Sequence, residues 1–457
     1  MNHSSQLGSE RIGRLLVRMS APAMVGLIVQ AFYNLTDTIF VGRGVGSLAI
    51  AGIAISFPVQ ILVMALAQTF GIGAASIVSR SLGAGEPKRA QRALGNLFTL
   101  VILSSATIAI LGSLYIDPLL RLFGATETIL PYGQDYLRVI LFGTPFFLFA
   151  MATNAVVRAE GNARVAMGTM IIAGLLNIVL DPLFIYGFHM GIRGAALATV
   201  LAQLTTVVYL VYYFVRGRSS LRTRMADLRL DRGIVWESFA VGIGSGLRNA
   251  AGSFTTIILN NTLAAYGGDI AIASFGVINR MIMFLVLPMF GIVQGLMPVV
   301  GFNYGAGQLD RARHAVRLSA LVTTIMSFAT TVILVAAPAF LLRIFTDDTA
   351  LITMGVPATR VVVIAFPTVG VQVIAAGMYQ ALGRPLPAMV LALLRQVILL
   401  TPLIVVLPRF MDLPGVWASF PIADGLAALV TALMLIPALR ALRDRQSHPN
   451  MEPSAKT

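Results

Sequence analysis

Cysteine is absent from this 457-residue chain, which excludes a disulfide framework, thiolate metal sites and cysteine nucleophiles. Charge is scarce: Asp, Glu, Lys and Arg make up 11% of the residues, where a soluble domain carries about 25%. Histidine occurs four times, as His3, His189, His314 and His448, all read as tail or loop positions, and no H-E-x-x-H pattern is present. Without a clustered catalytic set, a membrane-embedded enzyme is disfavoured. What the sequence has instead is hydrocarbon. Hydrophobic residues make up 57% and mean hydropathy is +0.85, so the chain reads as an all-α polytopic membrane protein.

Windows of about 20 apolar residues fall near 13–40, 48–78, 93–114, 133–157, 164–188, 194–215, 237–264, 270–300, 315–338, 355–379, 386–408 and 415–438. Met1–Glu10 is a short polar stretch, and no cleavable signal is expected before the first window. The net charge of +14 does not point to nucleic acid, because the basic residues alternate with the spans. Arg11 and Arg14, the 79–92 loop, Arg158 and Arg164, the 216–232 segment, 311–317, Arg384 and the C-terminal arginines fall on one side. Asp117, Glu127, Asp135, Asp269, Asp347, Asp348 and Asp412 fall on the other. By the positive-inside rule both termini are expected in the cytoplasm, which requires an even number of spans. The expected organisation is a tail (1–12), a six-helix lobe (13–215), a basic linker (216–236), a second six-helix lobe (237–438) and a tail (439–457).

The halves are related in sequence. Leu82-Gly83-Ala84-Gly85-Glu86 aligns with Tyr304-Gly305-Ala306-Gly307-Gln308, and the same offset pairs Ile50-Ala51-Gly52 with Ile272-Ala273-Ser274 and Gly161 with Gly383. Six spans per half makes the repeats parallel, giving twelve helices in two pseudo-twofold related bundles. Two such bundles facing across a cleft is a transporter design with the substrate at the repeat interface.

Polar residues inside the windows mark the candidate site. Asp37 ends the first window, and a carboxylate at the bilayer centre costs roughly 2.5–3.5 kcal/mol, so it marks a pathway or site. Asn34 lies one turn earlier on the same face. In the fifth window Asn177 and Asp181 are four apart, and Pro182 disturbs the backbone bond to Ile178. Asn154 and Arg158, Thr199 and Gln203 complete the first half's set. Two carboxylates in one poorly solvated pocket have coupled proton equilibria, as a proton-coupled carrier needs. The same oxygen donors, Asp37, Asn177, Asp181 and Thr199, would also suit a hard cation such as Na⁺. Under the repeat offset the counterparts of Asp37 and Asp181 are Leu259 and Leu403, so ion coupling is assigned to the first lobe. The second lobe carries Arg248, Arg280, Gln294, Arg395 and Asp424. Asp424 is either a salt-bridge partner of Arg395 or a substrate contact. Met281, Met283, Phe284, Met289 and Phe290 are candidate cavity lining, with Met and Phe suited to a promiscuous apolar surface.

The chain resembles the multidrug and toxic compound extrusion (MATE) family over essentially its whole length. The carriers are Pro22 before Asp37, the run Asn34-Leu35-Thr36-Asp37-Thr38-Ile39-Phe40-Val41-Gly42, Gly83-Ala84-Gly85, and Glu160-Gly161-Asn162. Asn177-Ile178-Val179-Leu180-Asp181-Pro182, Gly194-Ala195-Ala196 with Thr199, and Pro298 through Gly307 complete them. The resemblance implies two six-helix lobes, alternating access, and export of cationic, amphipathic drugs in exchange for H⁺ or Na⁺, with no other cofactor. It implies an ion site made of Asp37, Asp181, Asn177 and Thr199, to which Asn34 and Asn154 are added here, and a hinge at Pro22. The expected substrate cavity is Tyr33, Gln203, Met283, Gln294, Arg395 and Asp424. Members of the NorM type have carboxylates in helices 7 and 10; their absence here brings the chain nearer the DinF- and MepA-like bacterial branches and implies no second-lobe Na⁺ site. A monomer in the bacterial inner membrane, with the lipid bilayer and small drugs as partners, is the expectation. The alternative within the superfamily is a flippase for a lipid or lipid-linked sugar, which would want a cationic cavity, with Arg248, Arg280 and Arg395 as candidates.

Overall fold

In hydrocarbon every backbone N–H and C=O must be paired within its own segment, and each apolar window is accordingly a helix. The computed structural model describes residues 3–216 and 219–447; Arg218 and the tail beyond Ser447, His448 included, lie outside the described residues. The first bundle contains α1 (Ile12–Gly44), α2 (Ser47–Gly83), α3 (Pro87–Leu114), α4 (Leu130–Ala159), α5 (Ala163–Gly187) and α6 (Gly191–Val215). The second contains α7 (232–267), α8 (269–305), α9 (Leu309–Ala336), α10 (Thr349–Val362 bent into Phe366–Ala381), α11 (Pro385–Val406) and α12 (Pro408–Ser447). Helices α7 and α8 run on without a loop and part at Gly268, whose φ of 66° and ψ of −165° are not helical. With that break and the bent α10 the fold has twelve spans.

The helices outrun their apolar windows because charged end turns reach the headgroup layer. Arg80, Lys88, Arg89 and Arg92 sit in helical ends rather than in a loop, and His314 lies in the first turns of α9. Helix α7 begins at Arg232, capped by Asp231, whose side chain accepts from the Gly233 and Ile234 amides; the linker therefore ends five residues earlier than the charge pattern suggested. Pro87 and Pro385 open α3 and α11 at positions that need no N–H donor. Pro22 sits inside α1, which is helical throughout.

The N-terminal tail is not a free polar stretch. His3–Ser9 is a short helix with Leu7 fully buried. Asn303 Nδ2 donates to the Leu7 carbonyl at 3.0 Å, and Arg311 Nη2 to the Glu10 carbonyl at 2.6 Å. The tail thus docks on the end of the second bundle.

Backbone conformation repeats with the sequence. Gly46 and Gly268, Gly85 and Gly307, and Gly161 and Gly383 all have positive φ, a region open to glycine at little cost. Each pair holds the same place in the two halves, at the turns after the first, second and fourth helix of each bundle.

The bundles are not separate cores. Ile12, Leu15, Leu16 and Met19 of α1 pack with Ile292 and Leu296 of α8 and Val316 of α9, whereas Val41, at the other end of α1, packs with Ile185 and Ile192 of the first bundle. On the face that carries the basic turns the bundles meet at backbone distance: a Cβ on Gly73 of α2 would stand 1.9 Å from the Ser238 carbonyl, and one on Gly242 of α7 1.8 Å from that of Thr69. Ser76 Oγ donates to the Gln380 carbonyl at 2.5 Å, and Arg80 and Arg89 hold Glu237 at 2.7 and 2.8 Å.

Candidate functional site

Three polar constellations lie within the spans. The first is built by α1, α5 and α6. The Asp37 and Asp181 carboxyl groups are neighbours that interact directly, and a hydrogen bond between two such groups forms only when one carries a proton. Asn177 Nδ2 lies 3.4 Å from Asp181 Oδ1 and 3.4 Å from Thr199 Oγ1, because the four-residue spacing stacks Asn177 and Asp181 on one face of α5. Asp181 and Asn177 are buried and Asp37 is half-buried. Asp37 Oδ1, Asp181 Oδ2 and Asn177 Oδ1 are buried with no hydrogen-bond partner. Leaving acceptors open in this way is costly, and a proton or a hard cation is what such oxygens can bind.

Tyr33 and buried Tyr136 stand in the electrostatic field of both carboxylates. Tyr33 therefore stands by this constellation and does not line the cavity between the bundles. Tyr136, on α4, carries no local sequence signal, because nothing in its neighbourhood shows which way it turns. Two expected members are elsewhere. Asn154 is buried nearer the basic face, donating to Thr169 Oγ1 and the Ala166 carbonyl at 2.5 and 3.1 Å; it ties α4 to α5, and its side-chain oxygen accepts from Arg158. Asn34 shares the Asp37 face but is exposed.

The second constellation is a cavity of about 310 Å³ between the bundles. Helices α1, α2 and α4 of the first and α7, α8 and α10 of the second contribute to it, and it includes Arg158, Arg248, Gln294 and Phe290. Of the expected cavity residues, Gln294 and Phe290 line it. Gln203 is half-buried away from it, Met283 is exposed on the outer surface of α8 and Met281 and Met289 are buried in the second bundle. Helical spacing alone did not tell the cavity face of α8 from its other faces. Arg280 is likewise exposed.

The third is Arg395 of α11 with Asp424 of α12. Arg395 Nε donates to Asp424 Oδ1, and Nη2 to Oδ2 at 3.3 Å. The Asp424 side chain is 1% exposed, and its backbone carbonyl accepts from Gln372 at 3.1 Å. The pair is an internal bidentate ion pair, and neither residue lines the cavity.

Outside the spans, in the turn between α4 and α5, Glu160 is buried. Its Oε2 accepts from Ser219 Oγ, Ser220 N and Ser220 Oγ at 2.6, 2.8 and 2.9 Å, fixing the linker to the first bundle. Burial pushes its carboxyl up to about 7, and the opposite oxygen, Oε1, has no partner. Among the described residues no group of three or more His, Cys, Asp or Glu side chains is placed to hold a metal ion.

Comparison with known proteins gives one family. The MatE profile matches twice, over residues 22–183 and 245–406. The chain is 28% identical to the multidrug export protein MepA of Staphylococcus aureus, with 94% of each chain covered. Among solved structures it is similar to the MATE multidrug transporter DinF-BH, at 41% identity and a TM-score of 0.87, covering 96% of this chain and 97% of that one. It is also similar to a MOP superfamily transporter from Pyrococcus furiosus described as having a binding pocket of reverse polarity, at 27% identity and a TM-score of 0.89, covering 96% and 98%.

Proposed function

The chain belongs to the MatE family of multidrug transporters, and from that premise we propose that it is a secondary antiporter exporting cationic amphipathic compounds in exchange for H⁺ or Na⁺. The observation that carries this reading is the facing of Asp37 and Asp181, with three buried acceptor oxygens open around them. Two neighbouring, poorly solvated carboxylates favour a cation between them, a shared proton or a Na⁺ ion bound with Asn177 and Thr199. Loading one cation cuts the charge of the pair from −2 to −1 and weakens its attraction for an organic cation; an unloaded pair is a doubly anionic site in a medium of low dielectric. Ion and drug therefore oppose each other at one place, which is the condition for exchange.

Coupling to access requires that ion and drug differ in affinity for the two states of the lobes. Helix α1 is the element suited to transmit it: Asp37 sits on the half that packs in the first bundle, while the other half, beyond Pro22, packs on the second. Loading the pair alters the packing of α1 against α5, and the change reaches the inter-bundle contact through a rigid helix. By the positive-inside rule the face with the basic turns is cytoplasmic, which puts both termini in the cytoplasm of a bacterial cell and the monomer in its inner membrane. An anionic lipid as sole cargo would give the carboxylate pair no task.

The test is ethidium efflux from proteoliposomes under an imposed pH gradient or an imposed Na⁺ gradient, for wild type, Asp37→Asn and Asp181→Asn. Drive by one gradient, abolished in both variants, supports the reading and names the ion. Normal transport by the Asn variants, or no response to either gradient, overturns it.

A further inference from the structure

The cavity between the bundles has the opposite charge from the ion site. Arg158 enters it from α4 and Arg248 from α7, one guanidinium from each bundle. Neither is paired with a carboxylate among the described residues. Arg158 donates to the neutral Asn154 side chain, and the Arg248 guanidinium carbon lies 5.9 Å from the centroid of the Phe290 ring. Three other half-buried arginines have carboxylate partners, and Arg311 is held by the Asn303 side chain and two backbone carbonyls. Arg395 has Asp424, Arg18 has Glu10, and Arg80 has Glu237. Glu237 lies on the same helix as Arg248 but is held by Arg80 and Arg89. No Asp or Glu appears in the cavity wall.

An uncompensated guanidinium in a half-buried, apolar-walled space is expensive. Two guanidiniums without carboxylate partners, facing one cavity whose wall holds no acidic residue, call for an anion. The guanidinium fork matches the oxygens of a carboxylate, phosphate or sulfonate, and Gln294 adds an amide to the same wall. The rest of the wall is apolar, with Leu27, Phe290, Val293 and Met297, and accepts hydrocarbon. Its volume of about 310 Å³ lies at the lower end for small-molecule pockets.

We propose that this cavity is a binding site for an amphiphilic anion, its headgroup held between Arg158 and Arg248 and its apolar part along α1 and α8. The anion is either a free organic anion or the headgroup of a membrane lipid. Because the arginines come from opposite bundles, a bound anion joins the two halves and favours the arrangement in which they touch on the basic face. The site is distinct from the Asp37–Asp181 pair and does not depend on which ion is coupled there.

The experiment uses the full chain in phosphatidylcholine nanodiscs. Radiolabelled cholate is titrated by equilibrium dialysis, and phosphatidylglycerol incorporated into the discs is counted on the protein by native mass spectrometry. Arg158→Gln, Arg248→Gln and Gln294→Glu are compared with wild type, and ethidium binding is followed in all four. Gln294→Glu keeps both arginines and supplies a fixed carboxylate in place of the anion. The expected result is saturable binding of at least one anion to wild type, weakened about tenfold or more in each variant, with ethidium binding intact in the two arginine variants. Binding of cholate identifies a free anion, and binding of phosphatidylglycerol alone a lipid headgroup. Failure of wild type to bind either saturably, or equal anion binding by all three variants, overturns the proposal. Loss of ethidium binding in Asp37→Asn alone tests the antiport reading separately.

Discussion

Asn177 stands between Asp181 and Thr199 with its amide nitrogen 3.4 Å from an oxygen of each. It links α5 to α6 at the carboxylate pair and offers its own oxygen, unpartnered, to whatever ion binds there. Asn177→Leu keeps the size and removes both functions. Hydrogen bonds to a charged group are worth about 1.5–3 kcal/mol, so gradient-driven ethidium efflux should fall about tenfold or more. Initial rates at equal protein per vesicle check this, and Asn177→Gln should lose less.

The close approaches on the basic face set a steric test. Gly73→Ala and Gly242→Ala would place a methyl group 1.9 and 1.8 Å from a carbonyl oxygen of the opposite bundle, so the bundles must separate there. Each bundle keeps its own helices, so the variants should fold and insert but transport poorly. The absence of native cysteine makes a reporter simple. Maleimide labelling of Ser76→Cys, a residue now bonded to the Gln380 carbonyl, should accelerate by about an order of magnitude in either glycine variant, as expected for a shifted two-state equilibrium.

Glu160 gives a pH dependence with a defined sign. Its carboxyl is pushed from 4.5 up to about 7 by burial, so the folded state holds the proton more tightly than the unfolded one. Stabilisation from this group is complete below 4.5, declines as pH rises to about 7 and is lost above it. The shift corresponds to about 3 kcal/mol at full extent. Proteolysis of the segment around Ser219–Leu221 should therefore be slower at pH 5 than at pH 8, and Glu160→Gln should remove the difference.

The Arg395–Asp424 pair is expected to be structural. Arg395→Leu leaves a carboxylate 1% exposed without its partner, and such a loss costs about 3–5 kcal/mol. The double variant Arg395→Leu with Asp424→Leu should recover most of it, because both charges leave together. Thermal unfolding in detergent reads both, and ethidium efflux by the double variant should stay near wild type.

The twelve spans and the carboxylate site were legible because both are written in local composition. Apolar runs identify spans by length alone, and Asp37, Asn177, Asp181 and Thr199 stand out as polar groups where lipid would not tolerate them. Residues whose role depends on which neighbour they face were not legible. Asn154 looks as polar as Asn177 but turns to Thr169 and Arg158, and Met283 has the same spacing as cavity residues yet is exposed. Arg395 and Asp424 differ from cavity groups only in having each other. The docked tail was hidden for a related reason: a seven-residue polar helix has no pattern of its own, and its partners Asn303 and Arg311 lie 296 and 301 residues away along the chain.

That separation bears on how the molecule is assembled. Helix α1 is translated before the second bundle, yet Leu15, Leu16 and Met19 find their neighbours on α8 and α9, which emerge far later. At about 5–20 residues per second, the first span waits on the order of a quarter to a full minute. Lipid makes the wait tolerable, since acyl chains solvate a leucine about as well as another helix does. The sequence repeat therefore does not divide the protein into two independently folding halves. Assembly is completed only when the first span of the first bundle is seated against helices of the second.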